Sequence, residues 1–77
     1  MTTFQRNAKS ALNSVFDRYH CSLPFYFPSD FVTLYFYDSY PSDALLFDIY
    51  EAISAIHGYV SECDCAHGLV LVIESDK

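Results

Sequence analysis

The sequence feature most suggestive of a metal-binding or catalytic site is the run Cys63-Asp64-Cys65-Ala66-His67. Thiolates and imidazole are good zinc ligands, and Cys21 could complete a four-ligand set. Paired cysteines of structural zinc sites are usually separated by about two to four residues, whereas Cys63 and Cys65 are separated by one. The competing interpretation is that both are small apolar residues in a hairpin. We expect no metal or other cofactor, and keep Cys21, Cys63, Cys65 and His67 as the candidate ligands.

Other catalytic arrangements find little support in the sequence. A cysteine nucleophile needs a neighbouring base and a lowered thiol pKa. His20 and Cys21 are adjacent in the chain, but adjacent side chains rarely face each other. A glycine-rich phosphate-binding loop is excluded because the only two glycines, Gly58 and Gly68, are ten residues apart. We therefore expect a binding protein and not an enzyme.

The charge distribution narrows the class of partner. The net charge is −6, and no Lys or Arg occurs between Tyr19 and Asp76. A phosphate-binding surface needs clustered Lys and Arg, so we expect no direct binding to nucleic acid and no docking on anionic membranes. The same negative charge should instead attract a partner protein that has a basic surface. The competing interpretation is that the acidity serves only solubility.

Two helices and a strand must position these side chains. Apolar residues at three- and four-residue steps predict a helix over residues 4–19, which Thr2 or Thr3 can cap. The β-branched and aromatic run 31–37 predicts a strand, followed by a turn at 38–41. Ser42 and Asp43 predict the start of a second helix, and Gly58 its left-handed end.

The remainder of the chain favours a hairpin. We expect strands at 59–64 and 69–74, although the second helix could instead continue to Cys63. The apolar run 69–73 is typical of a central strand covered on both faces. Residues 25–27, between two prolines, form either a short edge strand or a packed loop.

These elements predict a single compact α+β domain over residues 1–77. Their order is α-β-α-β-β, and we expect a three-stranded sheet with two helices packed on one face. No apolar run approaches the ~20 residues that span a bilayer, and the first residues lack the pattern of a signal peptide. We expect a cytoplasmic protein with reduced cysteines.

The tyrosines are the candidate contact residues. Strand alternation places Val32, Leu34 and Phe36 on the core face, and Tyr35 and Tyr37 on the opposite face. Tyrosine is enriched at protein interfaces, although these rings could instead complete the core of a small domain. The predicted partner-binding residues are Asp30, Tyr35, Tyr37, Asp38, Tyr40, Asp48 and Glu51.

In composition, this short, acidic, tyrosine-rich chain is similar to small inhibitors encoded by phages and mobile elements, including anti-CRISPR and DNA-mimic proteins. The similarity implies a protein-binding module that inhibits a nucleic-acid-binding protein or complex. Two alternatives stay open. One is a small zinc-binding structural domain, and the other is a homo-oligomer, such as a homodimer, that associates through the open sheet face or the edge beside residues 31–37.

Overall fold

The structure, a computed structural model, describes residues 1–38 and 40–76. Ser39, in the predicted turn, and Lys77 lie outside them. The elements are α1 (Thr3–Arg18), β1 (Phe25–Tyr26), β2 (Val32–Tyr37), α2 (Asp43–Ala55), β3 (Gly58–Cys65) and β4 (Gly68–Ser75). The α+β class is confirmed, but the observed order is α-β-β-α-β-β. The predicted three-stranded sheet is wrong by one strand, because residues 25–26 pair with β2.

All four strands form one antiparallel sheet in the order β1-β2-β4-β3. The predicted hairpin is confirmed, with Ala66 and His67 as its loop between β3 and β4. β4 is central, because β2 pairs along one side of it and β3 along the other. On its second side β2 pairs with β1, but only at Thr33 and Leu34. The edge expected beside residues 31–37 is therefore covered in part, and the outermost strands of the sheet are β1 and β3.

A capping box fixes the start of α1. The side-chain oxygen of Thr2 accepts a hydrogen bond from the Gln5 backbone N–H, and the Gln5 side chain accepts one from the Thr2 N–H. The Gln5 side chain is buried, and its Nε2 donates to the carbonyl oxygens of Ser29 and Phe31 at 3.2 and 2.9 Å. Gln5 thus satisfies helix-terminal backbone groups and also ties α1 to the chain that enters β2.

The second helix begins as predicted and ends differently. Ser42 accepts a hydrogen bond from the Leu45 N–H at 3.2 Å, and Asp43 lies in the first turn. The left-handed residue after the helix is His57, with φ of 62°, and not Gly58. Gly58 begins β3, where an added Cβ would lie 2.8 Å from side-chain atoms of Phe4 and Ile53. A glycine is needed at this position for close packing and not for a left-handed turn.

The core lies between the helices and one face of the sheet. The face formed by Val32, Leu34 and Phe36 is buried, as predicted, and so are Leu69, Leu71 and Ile73 of β4. The helices contribute Ala8, Leu12, Val15, Phe16, Leu45, Ile49 and Ile53. Both helices therefore pack on the same face of the sheet, which leaves the other face without a helix. In the part of the chain that is described, no helix is long and apolar enough to cross a membrane.

Candidate functional site

The sheet face opposite the helices, here called the open face, is the candidate functional site. Strand alternation and the observed register assign it side chains from all four strands. They are Tyr26 of β1, Thr33, Tyr35 and Tyr37 of β2, Tyr59, Ser61, Cys63 and Cys65 of β3, and Val70, Val72 and Glu74 of β4. None of these residues is Lys or Arg.

Three tyrosines form one cluster at the β1–β2 side of the open face. The rings of Tyr35 and Tyr37 stack with a centroid separation of 5.7 Å and an angle of 8°. Tyr26 meets Tyr35 edge to face, at 5.2 Å and 89°. The Tyr37 side chain is 57% exposed and that of Tyr26 is 48% exposed. The cluster is therefore ordered by ring contacts while much of its surface stays in solvent, which is a suitable state for an aromatic contact surface.

The centre of the open face is apolar. Val70 lies opposite Tyr35 across the β2–β4 ladder, and Val72 lies opposite Thr33. Both valines are half-buried, although they belong to the central strand. The prediction that this strand is covered on both faces is therefore wrong. The reason is that both helices pack on the same face, so neighbouring side chains alone shield these valines.

A fourth tyrosine, Tyr59, occupies the β3–β4 side of the open face. Tyr59 lies directly opposite Glu74, and its hydroxyl donates a hydrogen bond to Glu74 Oε2 at 3.1 Å. This bond to a carboxylate raises the pKa of Tyr59, because it stabilises the protonated phenol beside a negative charge. Tyr59 is 46% exposed. Aromatic rings thus flank the valines on both sides, with a carboxylate within the face.

Desolvation also acts within the tyrosine cluster. It raises the pKa of Tyr37 above its ordinary value, with smaller contributions from the neighbouring Tyr26, Tyr35 and Cys65. Burial disfavours the charged phenolate form of a tyrosine. The Tyr37 hydroxyl is therefore a donor and an acceptor at neutral pH, able to bind main-chain or charged groups of a partner.

The predicted contact residues divide between two sides of the molecule. Tyr35 and Tyr37 lie on the open face, whereas Asp48 and Glu51 belong to α2 on the helix side. Asp48 is half-buried, and its Oδ2 accepts a hydrogen bond of 2.6 Å from the hydroxyl of Tyr19. That bond raises the pKa of Tyr19 and links the two helices.

Glu62 also belongs to the helix side. Its Oε2 accepts a hydrogen bond of 2.6 Å from the hydroxyl of Tyr50, which raises the pKa of Tyr50 to about 12. Glu62 therefore links β3 to α2 on the helix side of the sheet.

The remaining predicted residues are exposed around the ends of β2. Asp30 precedes the strand and Asp38 follows it, so two carboxylates bound β2 at its opposite ends. Asp38 has φ of 55° and its N–H donates to the carbonyl of His67 in the hairpin loop. Aspartate tolerates this left-handed backbone better than most residues do. Tyr40 is 63% exposed in the connection to α2.

The four candidate metal ligands are not brought together. Cys63 and Cys65 are exposed on the open face of β3, and His67 lies in the hairpin loop. Cys21 follows α1 and packs against the core on the helix side, so the sheet separates it from the other two cysteines. Across residues 1–38 and 40–76, no group of three or more His, Cys, Asp or Glu is placed to hold a metal ion.

Several residues of the open face were not among the predicted contacts. The alternation of Phe25, Tyr26 and Phe27 was the available signal for Tyr26, because only the middle ring of such a strand points away from the core. Val70, Val72 and Glu74 carry the same period-two signal. It was missed because a continuous apolar run was expected to be covered on both faces.

Comparison of the chain with protein-family models, curated proteins and solved structures finds no match in any of the three. Among the residues that the structure describes, no concave pocket is detected either.

Proposed function

We propose that this chain is a small protein-binding module whose open face docks on a basic surface of another protein. The observation that carries the proposal is the ordered tyrosine cluster of Tyr26, Tyr35 and Tyr37 beside the half-exposed valines of β4. Large aromatic rings at the centre of a surface are the usual anchors of protein interfaces, because they bury much area and lose little side-chain entropy.

The charges around the open face favour a partner rich in Lys and Arg. Glu74 lies within the face, and Asp30 and Asp38 lie at the two ends of β2. The basic residues Arg6, Lys9 and Arg18 belong to α1, on the other side of the sheet. A tyrosine ring also attracts a guanidinium or ammonium group placed over its face. Anchoring and charge complementarity therefore favour the same class of partner.

The composition favours one form of this proposal. In that form, the chain is an inhibitor of a nucleic-acid-binding protein or complex, of the kind that phages and mobile elements encode. A protein that occupies a basic nucleic-acid-binding surface competes with phosphate for the same Lys and Arg side chains. Cytoplasmic localisation is part of the proposal, and the free thiols of Cys21, Cys63 and Cys65 are consistent with a reducing compartment.

The test is affinity capture from the native host with identification of the bound protein, using three forms of the bait. Tyr35→Ala combined with Tyr37→Ala removes the stacked pair of the open face. Phe47→Ala is the matched control, because Phe47 is an aromatic residue that is 60% exposed on α2, against 57% for Tyr37. We expect the wild-type chain and Phe47→Ala to capture the same basic protein, and the double variant to lose it.

The opposite pattern would contradict the proposal: loss of capture with Phe47→Ala and retention with the double variant would assign binding to the helix side.

Two further measurements on the captured partner refine the result. Nucleic acid added to the complex should displace the chain if the two compete. The affinity should also fall as salt rises from low to physiological concentration, because surface charge steers association. An affinity that does not change with salt would contradict the proposed charge complementarity with a basic partner.

A further inference from the structure

The two edges of the sheet are unequal. β1 has two residues, Phe25–Tyr26, with Pro24 before them and Pro28 shortly after. A very short strand flanked by prolines offers few backbone groups for a further strand to pair with. β3 has eight residues, Gly58–Cys65, and contains neither proline nor lysine. The β1 edge is therefore protected against strand addition by its short length and its prolines, and β3 has neither of these protections.

The outer side of β3 has backbone groups with no partner strand. β3 pairs with β4 along its whole length, and in the sheet formed by the described residues no strand lies beyond it. Seven of its eight residues lie within one run, 59–65, in which only Val60 is not exposed. An edge strand of this kind presents alternate N–H and C=O groups to solvent, and these are the groups that an extended peptide pairs with.

The side chains of β3 select the charge of such a peptide. Glu62 and Asp64 are two residues apart, so they project on the same side of the sheet. The hydroxyl of Tyr50 holds Glu62 in place, and a carboxylate can accept about four hydrogen bonds in all. Residues opposite each other on neighbouring strands have Cβ atoms about 5 Å apart. A Lys or Arg on an added strand would therefore lie beside these carboxylates.

The same carboxylates disfavour a second copy of this chain as the added strand. Pairing of two β3 strands would bring Glu62 and Asp64 of one copy near those of the other, and like charges on adjacent strands destabilise the pairing. Inward-facing charges on an edge strand are a known protection against self-association. Here they still permit a strand of opposite charge.

We propose that β3 is a docking edge that takes an extended, Lys- or Arg-containing segment of a partner protein as a fifth strand of the sheet. Backbone hydrogen bonds to the outer side of β3 supply binding, and Glu62 and Asp64 supply the preference for a basic segment. The docking edge is a separate surface from the tyrosine cluster, and the proposal stands without the proposed role of the open face.

The test uses a ten-residue peptide of alternating Lys and Thr with blocked termini, and the full chain. We expect the peptide to slow amide hydrogen exchange in β3, with no comparable change in β1. A peptide of alternating Lys and Pro is the first control, because it has the same length and charge but lacks half of the backbone donors. It should bind at least tenfold more weakly. Equal binding of the two peptides would overturn the proposal, since charge alone would then explain it.

Charge-reversed variants test the role of the carboxylates. Glu62→Lys with Asp64→Lys should weaken binding of the Lys–Thr peptide about tenfold, as expected from two exposed ion pairs. Asp17→Lys with Glu51→Lys makes the same change in net charge on exposed helix positions and should weaken it far less. An equal effect of both pairs, or no binding at millimolar peptide, would contradict the proposal.

Self-association is the remaining competing outcome. Sedimentation of the wild-type chain at micromolar concentration should give a monomer. A dimer whose β3 amides are protected without peptide would overturn the proposal, because a second copy would then occupy the edge. Slower amide exchange in β3 with no comparable change in β2 separates this result from the test of the open face.

Discussion

The two faces of the sheet are made from the same strands and differ in burial. On the helix side, Leu34, Leu71 and Ile73 are fully buried beneath α1 and α2. On the open face, one residue further along the same strands, Tyr35 and Val72 are only half-buried, and Tyr37 is exposed. The helix side closes a core that stabilises the fold, whereas the open face leaves aromatic and apolar area in contact with solvent. Aromatic content alone therefore does not mark a core residue in a domain of this size.

The hydrogen bonds from tyrosine hydroxyls to carboxylates also differ between the helix side and the open face. On the helix side, phenol–carboxylate bonds join separate elements: Tyr19 with Asp48 joins the helices, and Tyr50 with Glu62 joins α2 to β3. On the open face, the bond between Tyr59 and Glu74 joins neighbouring strands that are already paired. Loss of a helix-side bond should therefore lower the stability of the fold. Loss of the open-face bond should change only the local arrangement of side chains on that surface.

The largest expected contrast is between two neighbouring residues of β4. Leu71→Ala removes a fully buried side chain from the helix side and should lower the free energy of unfolding by about 2–5 kcal/mol. Val72→Ala on the open face should lower it by about 1 kcal/mol, because a half-exposed side chain loses less transfer free energy. Urea unfolding measures both. Equal losses would show that the open face is as much a core as the helix side.

The next contrast concerns Gln5. Gln5→Ala removes the buried amide that bonds Thr2, Ser29 and Phe31, and should cost about 1–3 kcal/mol because three backbone groups lose this hydrogen-bond partner. Asn7→Ala, at an exposed position of the same helix, is the control and should change stability by about 0.5 kcal/mol or less. Urea unfolding again gives the values. A cost at Gln5 no larger than at Asn7 would mean that solvent replaces the lost bonds.

A smaller loss of stability is expected from the tyrosine cluster. Tyr35→Ala should cost about 0.5–1.5 kcal/mol, the range of aromatic pair interactions, because its ring contacts both Tyr26 and Tyr37. Its effect on partner binding should be larger than this effect on folding. Thermal unfolding and binding titration of the same variant give the two values. A variant that loses fold and binding together would place the cluster in the core.

The last contrast concerns the helix-side bond between Tyr50 and Glu62 and the stability of the fold at alkaline pH. Hydrogen bonding to Glu62 raises the pKa of Tyr50 from 10.0 to about 12. The folded state therefore holds the phenol proton more tightly than the unfolded chain, so this contribution to stability is complete below pH 10 and is lost as pH rises toward 12. Tyr50→Phe should reduce the fall in unfolding free energy over that interval. An unchanged pH profile in Tyr50→Phe would assign the fall to Tyr19, Tyr59 or other groups.

The sequence predicted both helices and the final hairpin because their signals are local. Apolar steps of three and four residues, the caps at Thr2 and Ser42, and the loop at Ala66 and His67 depend only on neighbours in the chain. β1 was less certain. Two paired residues give too short a pattern to separate a strand from a packed loop, so the pairing of Phe25 with Leu34 required the sheet itself.

The candidate site was predicted in part. Alternation along β2 correctly put Tyr35 and Tyr37 opposite the core face. The grouping of Asp48 and Glu51 with them could not be tested by sequence, because the side of the sheet on which a helix packs depends on contacts between distant elements. A half-buried carboxylate such as Asp48 also shows no local signal, since its partner Tyr19 is 29 positions away.

The amino-acid sequence is enough to name tyrosines and carboxylates as the candidate contact residues. It also shows that Lys and Arg are confined to the first helix and the last residue. The tertiary structure decided which of these residues share a surface. The physical reason is that both α1 and α2 must bury apolar stripes on the same sheet face. This leaves Tyr26, Val70 and Val72 beside Tyr35 and Tyr37, and it leaves β3, with Glu62 and Asp64, at an open edge.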